Sequence, residues 1–199
     1  MDMARENGRQ ERDARRAGMT IVELMVALVL FAVVAGVVFG FLTESRRSYT
    51  STRQKAQYQQ GLRAVMSLVT REVRSAGCDP TGAGFERIAV ADGTSFRCRM
   101  DLNGDADVVD TNPDEDVTYA FNAGTGELSR TVGGVATVIL RGLTNVTFNY
   151  YDDAGNLLAG VPLNATQRAD VRSVDFVMTG QTDKHEPVSY TTRIAVRNG

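Results

Sequence analysis

One histidine, two cysteines and four prolines are all that 199 residues contain of these types. The histidine, His185, sits in a polar stretch far from either cysteine and leaves few general-base arrangements. No Gly-x-Ser-x-Gly, no His-Glu-x-x-His and no phosphate-binding glycine loop occurs, so these enzyme signatures are missing. An enzyme is not expected. Cys78 and Cys98 lack Cys-x-x-Cys spacing, which argues against a zinc site built on them. Proline is absent from Thr43 to Ala76 and from the apolar run before it, which leaves room for a long helix.

The length and a formal charge of −2 suit one modest domain with appendages. Charge is unevenly spread. Counting Lys and Arg against Asp and Glu, residues 1–18 carry 5 against 4, residues 43–77 carry 7 against 2, and residues 78–199 carry 10 against 17. Phosphate binding needs a basic face, so the acidic C-terminal part is not expected to bind nucleic acid. The basic stretch suits acidic neighbours or lipid head groups, or is a solvated helix face.

The chain is organised around Arg15 to Leu42. A polar, arginine-rich leader ends at Gly18, and Glu23 stands at the head of an apolar run. From Leu24 to Leu42 nineteen residues carry no charged or polar side chain. As a helix they would cover roughly 28 Å, close to the roughly 30 Å hydrocarbon core of a bilayer. No Ala-x-Ala site follows the run, as a secretory signal would require. A carboxylate at the mouth of a spanning helix is expensive unless a partner meets it. Glu23 either has such a partner or serves as a first-turn acid at the positive end of the helix dipole. Ala32, Gly36 and Gly40 recur at every fourth residue, a spacing that serves close helix packing or local softness.

Gly18-Met19-Thr20-Ile21-Val22-Glu23-Leu24 resembles the type IV prepilin signature: a glycine before the cut, an apolar residue after it, then a glutamate. Met19 stands where phenylalanine is more usual. The resemblance implies cleavage between Gly18 and Met19 by prepilin peptidase and N-methylation of Met19. Glu23 would then pair with the amino terminus of a neighbouring subunit. The implied location is the bacterial inner membrane, single-pass, with the head in the periplasm, and afterwards a pilus or pseudopilus. The implied partners are other pilin or pseudopilin subunits and the assembly platform.

Beyond the span, Leu62, Val65, Met66, Val69, Val73 and Ala76 recur at three- and four-residue steps, an apolar stripe suited to packing on a sheet. Gly77 is placed to end this helix as a left-handed cap. The spacing predicts one helix from Thr20 to Ala76, about 85 Å long. Period-two strands are then expected at 86–91, 95–100, 116–122, 127–132, 135–140, 145–151, 156–158, 171–179 and 188–196. The fold class is therefore α+β: a long N-terminal helix, half membrane-spanning and half amphipathic, packed on an antiparallel β-sheet head. The expected segments are a leader at 1–18, a transmembrane and stalk helix at 19–77, and a head at 78–199. The order of elements, with the strand Val146-Thr-Phe-Asn-Tyr-Tyr-Asp152, resembles the PilW family of minor pilins. It is also similar to the J-type pseudopilins of type II secretion. A membrane-tethered periplasmic binding module that never polymerises is the alternative from another class.

Two features of the head could carry chemistry. In an exported head Cys78 and Cys98 would form a disulfide, closing a loop of about twenty residues for roughly 3 kcal/mol; otherwise they are buried free thiols. Asp101, Asn103, Asp105 and Asp107 match positions 1, 3, 5 and 7 of an EF-hand calcium loop. Ala106 replaces the turn glycine and Asn112 the closing glutamate, so Asp114 or Asp116 would have to complete the shell. Residues 101–116 hold seven acids and no base. Calcium is the one cofactor the sequence suggests, and a solvated acidic loop is the alternative.

Overall fold

A computed structural model of the protein describes residues 19–181 and 187–196. The leader, with Gly18, and the loop residue His185 lie outside the described residues. The chain falls into two compact units, Met1–Thr50 and Ser51–Gly199.

Helix α1 spans Ile21–Ser75 and contributes residues to both units. Thr20 caps its start, accepting a hydrogen bond on Oγ1 from Glu23 N at 3.2 Å. At its end Gly77 adopts φ 76, a conformation that costs a residue bearing a Cβ about 1–2 kcal/mol. Gly77 N then leaves the helix pattern and donates to Arg99 O at 2.9 Å. The helix thus stops where a left-handed residue sends the chain toward the sheet.

In the second unit five strands form an antiparallel meander: β1 (Ile88–Ala91), β2 (Ser95–Arg99), β3 (Asp116–Asn122), β4 (Glu127–Val132) and β5 (Val135–Leu140). Three more form a separate meander: β6 (Leu143–Tyr151), β7 (Ser173–Gln181) and β8 (Pro187–Ala195). The head is α+β as expected, but its strands make two sheets rather than one. The segment 156–158 is reduced to a single bridge, Tyr151 to Leu157. A short helix, α2 (Ala165–Asp170), appears where the sequence reading placed none. Its capping box is complete, with Asn164 Oδ1 accepting from Gln167 N at 2.9 Å and Gln167 Oε1 accepting from Asn164 N at 3.0 Å.

Alternation decides which side chains meet. Val146, Phe148 and Tyr150 on β6 pair in register with Met178, Phe176 and Val174 on β7, and all six are buried. Phe148 stacks on Phe176 at 4.9 Å and on Phe96 of β2 at 5.7 Å. The aromatic row therefore joins the two sheets, each stacked pair adding about 0.5–1.5 kcal/mol beyond its buried area. Leu62, Val65, Val69, Val73 and Ala76 of α1 complete the same core, as their spacing predicts. Tyr58 reaches further, donating from its hydroxyl to Gly142 O at 2.9 Å.

Candidate functional site

The N-terminal segment has few internal obligations. Among its described residues the apolar side chains from Ile21 to Leu42 are exposed, Phe41 by 74% and Ile21 by 79%. A span of 26 residues, Ile21–Arg46, is long and apolar enough to cross a membrane, and none of it is buried. Burying one such side chain stabilises by about 1.5–3 kcal/mol, so this surface calls for lipid or other helices. A Cβ placed on Gly36 or Gly40 would meet nothing within 4 Å. Among the described residues no contact explains why those two positions are small.

Glu23 occupies the first turn of α1, the third residue after the Thr20 cap. Thr20-x-x-Glu23 has the pattern of a capping box, a signal the sequence reading passed over. Its threonine half is formed. Met19 lies just outside the helix, so a cut before it would leave the helical hydrogen bonds intact.

In the head, Cys98 is fully buried and Cys78 partly so, and both are free thiols. The bridge expected from an exported pair is not formed here. Burial, with the charges of Glu72 and Asp116 nearby, pushes the Cys98 thiol far above its ordinary range and keeps it protonated.

The acidic loop between β2 and β3 separates the acids that looked alike in sequence. Asp114 is taken by Arg130, which lies 2.7 Å away. Asp116 opens β3 and accepts from Arg97 and Arg99. Burial opposes ionisation of Asp116, but the hydrogen bonds and charge of Arg97, helped by Arg99, hold its carboxyl below the usual range. Asp101 is fully buried and binds the loop to itself, accepting from Gly104 N at 2.5 Å and Ala106 N at 3.1 Å. Asn103, Asp105 and Asp107 remain on the outer turn, with Asn103 Nδ2 donating to Asp105 Oδ2 at 2.9 Å. Of the six expected ligands, only Asp105 and Asp107 have carboxylates grouped with another acid, and that acid is Glu115.

One buried polar group was not foreseen. Glu72 sits in the apolar stripe of α1 yet is 6% exposed. It accepts from the Tyr119 hydroxyl and from Arg130 Nη2, the latter at 2.6 Å. Burial and the adjacent Glu72 charge push the Tyr119 hydroxyl far up, so it stays protonated and donates. Arg130 is held in its charged form, its burial outweighed by the bonds to Glu72 and Asp114. A single arginine thus joins helix, sheet and acidic loop.

Residues 13–39 match the family model described as the prokaryotic N-terminal methylation motif. No curated protein matches the chain. The match covers the end of the leader, the Gly18–Met19 junction, Glu23 and most of the apolar run. It supports a type IV prepilin-like protein of the pilin or pseudopilin kind, with a helix compatible with single-pass anchoring.

Proposed function

We propose that the chain is a minor pilin: a structural, priming subunit of a type IV pilus, resembling the PilW family. Prepilin peptidase cuts it between Gly18 and Met19, Met19 is N-methylated, and Glu23 receives the amino terminus of the next subunit. The segments are a leader at 1–18, a membrane and stalk helix at 19–77, and a head at 78–199 in the periplasm. Its role is structural, with no catalytic residue assigned.

The observation that carries this reading is the exposed helix. A run with no buried residue follows a glycine junction, carries one acid in its first turn, and coincides with the methylation motif. A lone spanning anchor needs neither that junction nor that acid. A secretion pseudopilin would share every one of these features. Deleting the gene separates the two machines, because loss of surface pili marks the pilin and loss of protein export marks the pseudopilin.

One observation favours a second reading. Thr20-x-x-Glu23 has the spacing of a capping box with its threonine half formed, a local use for an acid at the helix start that a non-polymerising tether would also retain. The test is Glu23→Ala. It should insert as well as wild type, because it removes a charge from the mouth of the span. Incorporation into filaments, scored by co-purification with sheared pili, should fall severely. Normal incorporation would reduce Glu23 to a first-turn acid and favour the tether.

A further inference from the structure

The head contains an arrangement for which the proposed role in a filament assigns no task. In the loop between β2 and β3 the chain winds in successive turns. Asp105 Oδ1 accepts from Asp107 N at 3.1 Å, and Asp107 Oδ1 accepts from Val109 N at 3.0 Å. The loop returns to β3 through Glu115, whose side chain is 0% exposed. Glu115 Oε1 accepts from Leu102 N at 2.8 Å and Asn103 N at 3.3 Å. Its other oxygen, Oε2, is shielded from solvent and has no hydrogen-bond partner among the described residues. Carboxylate oxygens of Asp105, Asp107 and Glu115 lie within 4.8 Å of one another.

Two physical problems therefore coincide. Three carboxylates converge, and among the described residues none of them makes an ion pair with a lysine or arginine, those nearby being committed to Asp114, Asp116 and Glu72. One of the three is also buried with an unmatched oxygen, the most costly place for a charged acceptor. A cation held by all three would neutralise the first and lower the cost of the second.

We propose that Asp105, Asp107 and Glu115 bind a calcium ion. An all-oxygen donor set with no histidine or cysteine suits a hard cation and not zinc. Calcium accepts irregular oxygen shells at about 2.3–2.6 Å, which three oxygens within 4.8 Å of one another can begin to form, whereas magnesium demands near-ideal octahedral geometry and gives up water reluctantly. Three side-chain ligands leave room for waters and backbone carbonyls in a shell of about six to eight. Such a lightly charged site belongs with extracellular calcium modules, whose Kd is about 0.1–1 mM. The ligand set differs from the one the EF-hand spacing suggests: Glu115 enters, while Asp101, Asp114 and Asp116 hold the loop and its arginines.

Calorimetric titration of the full chain in detergent, with calcium chloride alone as the probe, tests this. Wild type should take up one equivalent saturably in the millimolar range, with magnesium at least about tenfold weaker. Asp107→Asn, an exposed change that leaves the core untouched, should weaken calcium at least about tenfold. Glu115→Gln should do the same while keeping the oxygen that Leu102 N requires. Asp114→Asn, whose acid belongs to Arg130, should stay within about twofold. Absence of saturable binding up to about 10 mM would overturn the proposal. Equal losses in Asp107→Asn and Asp114→Asn would overturn it as well, since diffuse loop charge and not a built site would then hold the ion.

Discussion

The two units of this chain treat the same kind of side chain in opposite ways. In the first, valines, leucines and phenylalanines of α1 are exposed from Ile21 to Leu42. In the second, apolar residues of the same helix, Leu62, Val65, Val69 and Val73, are buried to 5% exposure or less. The difference lies in pattern. Around the first stretch apolar residues cover the whole helix surface, which no single sheet can bury, so the missing environment must be lipid or other helices. In the second they form one stripe, which one core satisfies. Even the acids follow this division: among the described residues Glu23 makes no ion pair, whereas Glu72 is enclosed with Tyr119 and Arg130.

The largest effect that would sharpen this contrast is at Glu72. Glu72→Ala leaves the Tyr119 hydroxyl without its acceptor in a buried site and Arg130 with Asp114 alone. It should destabilise the head by about 3–5 kcal/mol in denaturant unfolding of the detergent-solubilised chain. Leu28→Ala, at an exposed apolar position of the same helix, should change head stability by less than about 0.5 kcal/mol. Equal losses would erase the distinction between the two halves of α1.

Next in size is Gly180. A Cβ there would lie 1.8 Å from the Tyr58 hydroxyl oxygen and 2.8 Å from its ring carbon Cζ. Gly180→Ala should therefore displace Tyr58 and cost about 1–3 kcal/mol. The same change made on Tyr58→Ala should cost clearly less, which a double-mutant cycle measures.

Acid sensitivity comes third. The folded carboxyl of Asp116 titrates below its unfolded value of about 3.9, so its pairing stabilises fully above that pH. The contribution is lost as the pH falls through the depressed folded value. The stability gap between wild type and Arg97→Gln should be constant from pH 5 to 7, taken as about neutral conditions, and should close below about pH 4. A gap that persisted in strong acid would assign Arg97 a packing role instead.

The smallest effect is at Ala106, which adopts φ 73 in the position where an EF-hand loop carries glycine. Relief of that strain, less the entropy glycine adds to the unfolded chain, should make Ala106→Gly more stable by about 0.5–1 kcal/mol. A lower melting temperature would mean that Ala106 contributes more through its methyl than it costs through its backbone.

The sequence showed the outline because its signals were local. A stripe at three- and four-residue steps and a terminal glycine predicted α1 to within a residue at each end, Ile21–Ser75 against 20–76. β3, β4 and β5 were read at their observed bounds, because turn glycines and period-two alternation mark them. What depended on distant partners was not legible. The division into two sheets follows from pairings that no local pattern states. Glu72 meets Tyr119 and Arg130 from 47 and 58 residues away, and in sequence it is only an acid interrupting a stripe. Glu115 was hidden among seven acids, since only the fold shows that it, like Asp101, is buried. Helix α2 was missed for another reason. It has six residues and none is buried, so hydrophobic period could not reveal it, although Asn164-x-x-Gln167 was there to be read as a capping box.

The proposed cut makes Met19, two residues ahead of α1, the first residue of the mature chain, and intact mass spectrometry of the protein extracted from membranes tests this most directly. The expected result is a chain starting at N-methylated Met19, and a Gly18→Phe variant that retains its leader. Mature, filament-associated protein that still carries Met1 would contradict it.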